Sequence, residues 1–337
     1  MSDKTIVLSG IRATGRMHLG NYIGALRHQV ALTQDPGNDC YYFVADLHTL
    51  TTGFEPNDLR RNREELVLDF LGAGLDPDKA TLYSQTSVPE ISELAWLLSC
   101  LTQMKDLEGM SHWEEKKMRL TEEGKPITAG LFTYPVLMAA DILGPKGEVI
   151  PVGDDQRQHV EFARELARYF NRRFGKTFPE PKALVQGGGR VPGLQASGKM
   201  GKSEAESGTI YLTESTTNAW NKVRVATTDP QRTYRHIPGN PAVCNIYTLH
   251  TIMSTAEQIG WANDGCRKAG IGCIDCKKAL FPHISAILEQ VQERRAQFAA
   301  KGPNFVRELL RENGKRARVR FAETLAEVQE KMGIVPY

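Results

Sequence analysis

Ile6-Val7-Leu8-Ser9-Gly10-Ile11-Arg12-Ala13-Thr14-Gly15-Arg16-Met17-His18-Leu19-Gly20-Asn21 is the stretch on which the reading of this chain turns. An apolar run, Ile6-Val7-Leu8, leads through a tight Thr14-Gly15 turn to His18-Leu19-Gly20-Asn21. That order predicts a first parallel strand feeding a first helix, the usual seat of a nucleotide in an α/β fold. Helix starts favour anionic phosphates because backbone N–H groups and the helix dipole converge there, and Gly20, without a Cβ, lets a base lie close to the backbone.

Outward from this segment, apolar runs near Ile6 to Leu8, Tyr41 to Ala45, Thr81 to Ser84 and Val149 to Val152 read as strands. Between and after them, Asp58 to Phe70 (Leu59, Leu66, Val67, Phe70) and Val160 to Phe170 (Phe162, Leu166, Phe170) carry helical spacing. Strand and helix in alternation predict a parallel sheet covered on both faces. From about 89 to 130 the pattern is irregular and rich in charge, as in Glu114-Glu115-Lys116-Lys117, and reads as an insertion whose charge run is a solvated face. After Ser203 strand signals thin out, and 285–298 and 305–332 read as long helices. The expectation is a Rossmann-like catalytic domain over 1–205 and a mostly α-helical C-terminal domain over 206–337.

A chain of 337 residues that is 41% hydrophobic can bury a full core. No apolar stretch reaches the ~18 residues of a membrane span, and the first residues lack a secretory pattern, so a cytosolic protein is expected. With 42 basic and 40 acidic residues the overall charge points to no nucleic-acid partner. Locally, seven cations (Lys301, Arg307, Arg311, Lys315, Arg316, Arg318, Arg320) against Glu308 and Glu312 give a stripe that can track phosphates or be a solvated helix face.

Far along the chain stands Lys199-Met200-Gly201-Lys202-Ser203, with Gly187-Gly188-Gly189 and Gly198 nearby to let a loop close. Between the two lie Thr133-Tyr134-Pro135-Val136-Leu137-Met138-Ala139-Ala140-Asp141-Ile142-Leu143 and Pro151-Val152-Gly153-Asp154-Asp155-Gln156. Acidic residues in the latter can simply cap a helix, and an aspartate late in an apolar helix can be structural.

Together these blocks resemble the class I aminoacyl-tRNA synthetases, and tryptophanyl-tRNA synthetases in particular. The resemblance implies activation of tryptophan by ATP with Mg2+, transfer to tRNA, and a homodimer with contacts in 89–130. It implies catalytic roles for His18, Lys199 and Lys202, with ATP also met by Arg12, Thr14, Gly20, Asn21, Gly153, Asp155, Met200 and Ser203. The amino acid would be held by His48, Tyr134, Met138, Asp141, Ile142, Ile150, Val152 and Gln156. An indole needs an apolar slot with one acceptor for its N–H, and Asp141 suits that acceptor. Three departures stand out: Asn21 where many class I enzymes have histidine, Gly201 where serine is usual, and Arg12 where many tryptophanyl enzymes have glutamine. A tyrosyl-type enzyme and a noncatalytic RNA-binding relative are the rival readings.

Of six cysteines, Cys244, Cys266, Cys273 and Cys276 are separated by 21, 6 and 2 residues, leaving Cys40 and Cys100 as expected buried thiols. Four soft ligands suit zinc or an iron–sulfur cluster. A subset of tryptophanyl-tRNA synthetases has similar spacing and a [4Fe–4S] cluster, and resemblance to that subset implies one here.

Overall fold

The computed structural model describes residues 4–51, 53–185, 191–195, 198–201 and 206–335. Five parallel strands, β1 (Thr5–Ile11), β2 (Asn38–Val44), β3 (Ala80–Ser84), β4 (Val149–Val152) and β5 (Lys182–Val185), form one sheet in the order β3-β2-β1-β4-β5. β3 is buried at every position and β2 at its last five, which is why these strands read as continuous apolar runs and not as alternation. The chain builds outward from β1 through β2 to β3, then returns to the other side of β1 with β4. That reversal opens a crevice at the strands' C-terminal ends.

Helices α1 (Leu19–Asn21), α2 (Arg27–Leu32), α3 (Asp46–Thr49) and α4 (Pro56–Gly72) precede β3, and α1 runs into α2 through a π-helical turn, Tyr22–Leu26. α5 (Glu90–Ser99), α6 (Met104–Glu108), α7 (Ser111–Glu122) and α8 (Ala129–Leu143) lie between β3 and β4, and α9 (Arg157–Phe174) follows β4. The remainder is helical: α10 (Thr216–Val225), α11 (Asn245–Met253), α12 (Ala256–Arg267), α13 (Cys273–Ala299) and α14 (Phe305–Met332). No helix among the described residues is long and apolar enough to cross a membrane.

The segment 89–130 is therefore not irregular. α5 buries Ile91, Leu94, Leu97 and Leu98 on one face, a helical spacing. β5 escaped detection because its four residues are short and largely exposed. α13 begins twelve residues before the expected helix: Gly272 caps it and donates its N–H to Asp275 Oδ2 (3.0 Å), so Cys273 and Cys276 occupy its first turn.

Two hydrophobic cores form, and each draws from both sides of position 205. In one, Leu280, Ile284, Leu288 and Val291 of α13 join Val67, Phe70 and Leu71 of α4. In the other, Ala317, Phe321 and Leu325 of α14 join Ile6, Tyr83 and Val136. α14 covers the edge strand β3, where Asn313 Nδ2 donates to Leu82 O (3.2 Å) and Phe321 packs onto Gly144, leaving no room for a Cβ there. The basic stripe is spent largely within the chain. Arg307 pairs with Glu64 (2.7 Å), Arg318 with Glu90 (2.7 Å), and Arg320 Nε donates to Pro145 O (2.6 Å). Arg311 and Lys315 share Glu312, Arg316 donates to Asn313, and Lys301 lies over Phe298 and Phe305.

Candidate active site at the ends of the central strands

A cavity of about 380 Å³ opens at the C-terminal ends of β1, β2 and β4, at the point where strand order reverses. Gly10 of β1 forms part of its wall, and the Phe43 ring lies so close to Gly10 that any side chain there would collide with it. Gly24 and Ala25 of the π-helical turn form another part; such turns recur at functional sites.

α8 supplies the cavity's organised face. Thr128 caps it by accepting from the Leu131 N–H, and Tyr134, Met138 and Asp141, spaced four and three apart, project from one side. All eight residues expected to hold the amino acid (His48, Tyr134, Met138, Asp141, Ile142, Ile150, Val152 and Gln156) line this one cavity.

Asp141 is fully buried at its floor. His48 Nε2 lies 2.9 Å from Oδ2, and Gln85 Nε2 donates to both carboxylate oxygens (2.8 and 2.9 Å). Burial pushes the Asp141 carboxyl above its ordinary range, against the pull of His48 and then Gln85. Gln85 Oε1 in turn accepts from the backbone N–H groups of Leu47 and His48 (3.1 and 3.3 Å), so one amide locks both members of the pair. Sequence reading missed Gln85. Its signal was a polar residue directly after β3, with no motif to mark it.

Higher on the same face, Tyr134 Oη sits 2.8 Å from His159 Nε2. Burial, with the nearby His112 and Lys116, drives His159 down to about 4, so its ring is neutral at pH 7. Burial also raises the Tyr134 phenol to about 12. Lys116 Nζ lies 4.4 Å over the Tyr134 ring and lines the cavity with Arg12. Burial and then Arg12 bring its ammonium down to about 8. Glu114, Glu115 and Lys117 are exposed as expected of a solvated face, but Lys116 turns inward and corrects that reading.

Arg12, Gly153 and Asp155 also border the cavity, while Thr14, Gly20, Asn21, Lys199 and Met200 lie outside its wall. Gln156 Nε2 donates to Asp155 Oδ2 (3.0 Å). His18 opens α1 as a cap: its Nδ1 accepts from the Asn21 N–H (3.2 Å), and Asn21 Oδ1 accepts from the His18 N–H (3.1 Å). The distant lysine-bearing segment is brought to this turn. Leu19 N–H donates to Ile210 O (2.8 Å), Leu212 N–H to Met17 O (3.0 Å), and a Cβ on Gly20 would come within 3.3 Å of Met200 O. The Met200 side chain is buried in the core, whereas Lys199 is exposed. Lys202, Ser203 and Gly187-Gly188-Gly189 lie outside the described residues.

Cys244, Cys266, Cys273 and Cys276 line one small apolar cavity, with Arg232 Nη1 at 3.8 Å from Cys266 Sγ and 3.9 Å from Cys273 Sγ. Burial, then the neighbouring thiols, push Cys276 up to about 12. Among the described residues no group of three or more His, Cys, Asp or Glu side chains is arranged to hold a metal ion. Cys40 is buried as expected; Cys100 is exposed, because it caps the end of α5 on the outer side of the helix.

A ligand cavity over the strand-order reversal of a parallel sheet is the arrangement of nucleotide-binding α/β proteins. Residues 1–289 match the family described as tRNA synthetases class I (W and Y), and the chain belongs to it. Two relatives are tryptophan–tRNA ligases: that of Deinococcus radiodurans is 42% identical over 332 residues (98% of both chains), and that of Thermotoga maritima 38% over 331 residues (98% and 99%). The tryptophanyl-tRNA synthetase of Campylobacter jejuni, solved with ADP and tryptophan, superimposes with a TM-score of 0.84 at 30% identity, covering 98% of this chain and all of that one.

Proposed function

We propose that the protein activates L-tryptophan with ATP, accompanied by Mg2+, to tryptophanyl-adenylate and pyrophosphate, and then transfers the tryptophanyl group to the terminal ribose of its cognate tRNA. The observation that carries this reading is Asp141, a buried carboxylate at the end of a slot walled by Met138, Ile142, Ile150 and Val152. His48 and Gln85 occupy part of its accepting capacity, and a carboxylate with about four lone-pair sites can take one further donor, the indole N–H.

The remaining polar groups suit the amino acid's other end. Tyr134 Oη shares a hydrogen bond with a neutral His159, and in the tautomer whose Nε2 accepts from the hydroxyl the phenol's lone pairs are left to accept from the substrate ammonium. Gln156 and Asp155 stand beside it. The substrate carboxylate attacks the α-phosphorus as the bond to the bridging oxygen breaks and pyrophosphate leaves, so catalysis lies in positioning and charge neutralisation. His18, Lys199 and Lys202 are the groups assigned to the phosphates, with Arg12 and Lys116 as the cations of the cavity wall.

We read 1–205 as the catalytic unit and 206–337 as the unit that reads the anticodon. A homodimer meeting through 89–130 is supported by exposed Trp96, Met104 and Met118. The four cysteines are assigned to a [4Fe–4S] cluster of architectural role. What supports a shared centre is that all four cysteines line one small cavity, and four soft ligands suit an iron–sulfur cluster or, as the alternative, a structural zinc.

Amino-acid-dependent ATP–pyrophosphate exchange tests the reading. Exchange with tryptophan and none with tyrosine is expected; the reverse would make this a tyrosyl enzyme, and tRNA binding without any exchange a noncatalytic one.

A further inference from the structure

We propose that Tyr234 and His236 form a stacking platform for an unpaired base of the tRNA, a contact that rests on the ligase reading above and names where the helical part of the chain grips its substrate. The two rings lie parallel, 5.7 Å between centroids and 10° between planes, and both residues are exposed, Tyr234 to 67%. A tyrosine left in water on a loop contributes little to folding. Here the loop is nevertheless held rigid.

Asp229 fixes both ends of that loop, accepting from the Gln231 N–H (2.9 Å) and the Asn240 N–H (2.7 Å). Arg232, buried beneath it, donates through Nη2 to Arg235 O (2.9 Å) and Ile271 O (2.6 Å). Gly239 N–H donates to Cys266 O (3.0 Å), and a Cβ on Gly239 would stand 2.6 Å from Cys266 Sγ, so the backbone runs flush against the cysteine site. A pinned backbone that displays two coplanar rings spends little entropy when a base joins the stack.

The chemistry of the surroundings selects nucleic acid. From Gln231 to Gly239 there is no acidic residue, and Arg232 and Arg235 give the loop a positive charge. Arg235, 3.3 Å from Asp275 and 72% exposed at its side chain, and Lys268, 3.2 Å from Asp264 and 75% exposed, keep most of their surface in water, where a phosphate can compete for them. Single-stranded RNA is recognised by stacking on aromatic faces beside cations. The platform adjoins the cysteine cavity, through Arg232, and not the lining of the active-site cavity.

The test compares wild type, Tyr234→Ala, Tyr234→Phe and His236→Ala in tryptophan-dependent pyrophosphate exchange without tRNA, and in charging of full-length tRNA transcript. Exchange is expected to be unchanged in all four. The KM for tRNA should rise roughly tenfold in Tyr234→Ala, less in His236→Ala, and stay at wild type in Tyr234→Phe, which keeps the ring. A fluorescent adenine analogue in the anticodon loop should be quenched by wild type and Tyr234→Phe and not by Tyr234→Ala. An unchanged tRNA KM in Tyr234→Ala, as a surface used only by a protein partner would give, overturns the proposal, and so does damage by Phe equal to that by Ala. Failure of the wild type to charge tRNA would instead remove the ligase reading itself.

Discussion

His48 Nε2 and Asp141 Oδ2 are 2.9 Å apart with the carboxylate wholly out of water, and Gln85 donates to both oxygens of the same group. An ionised carboxylate in an apolar slot is costly unless such donors surround it. Here they leave one side open to the cavity. Asp141→Asn keeps the shape but turns one acceptor into an N–H that opposes the donors already present. A hydrogen bond to a charged acceptor contributes roughly 1.5–3 kcal/mol, so kcat/KM for tryptophan in pyrophosphate exchange should fall about tenfold to 150-fold. The KM for ATP should not move. An Asp141→Asn enzyme that still prefers tryptophan as strongly as wild type would end the assignment.

Acid stability should be set in part by His159. In an unfolded chain a histidine takes up its proton near pH 6.5, whereas the folded protein delays that uptake to about 4. Between those values the unfolded state binds more protons, so the stabilisation is complete above 6.5 and is lost as pH falls toward 4. The shift corresponds to a loss on the order of 3 kcal/mol. His159→Gln, which can still accept from Tyr134, should flatten denaturant-midpoint curves across that window. An equally steep curve in the variant would assign the acid sensitivity elsewhere.

Lys116 predicts an alkaline limit. Its ammonium, brought down to about 8 by burial and by Arg12, loses charge as pH rises through that value. With it goes one of the two cations lining the cavity. The kcat/KM for ATP in exchange should fall above pH 8. In Lys116→Arg the fall should disappear, because a guanidinium stays protonated. A profile with the same alkaline limb in the variant would exclude Lys116 as its source.

The sheet was legible because it rests on local pattern, four of its five strands being apolar runs. The slot residues were named through the family resemblance, and Tyr134, Met138 and Asp141 do share one side of one helix. What escaped depends on contacts between segments far apart. Gln85 acts by reaching Asp141 across 56 positions, and Lys116 enters the cavity only because α7 folds over it. The basic stripe could be paired in sequence only with Glu308 and Glu312, because Glu64 and Glu90, which meet Arg307 and Arg318, sit more than two hundred residues earlier. Cys100 read as buried from residue type alone, though its side faces away from the core.

Gly201 should tolerate the serine usual in this family. A Cβ built there meets nothing nearer than Lys199 O at 3.5 Å, an ordinary contact, and its φ is not in the left-handed region. Serine removes backbone freedom that glycine must lose each time the lysine-bearing segment orders around phosphates, a cost of roughly 0.5–1 kcal/mol. Gly201→Ser should therefore raise kcat for exchange about two- to fivefold, with the KM for tryptophan unchanged. A lower kcat would mean that this segment needs the glycine.

The cysteine cavity makes the last prediction. It is an apolar space lined by the four cysteines, in which burial and then the neighbouring thiols push Cys276 up to about 12. Such a space stabilises nothing by itself, yet α11, α12, α13 and the Asp229–Gly239 loop all end against it. Thiolate ligation of a cluster would bind these ends together, and Arg232, already aimed at Cys266 and Cys273, would offset the gathered negative charge. Protein purified without oxygen should carry about four irons per chain and the broad visible absorption of thiolate-to-iron charge transfer. Cys276→Ser should lose both and melt at lower temperature, while tryptophan-dependent exchange persists, since the active-site cavity shares no lining residue with the cysteine cavity. Zinc without colour would retire the cluster and leave the enzymatic reading in place; loss of exchange in Cys276→Ser would show that the centre supports the catalytic cavity after all.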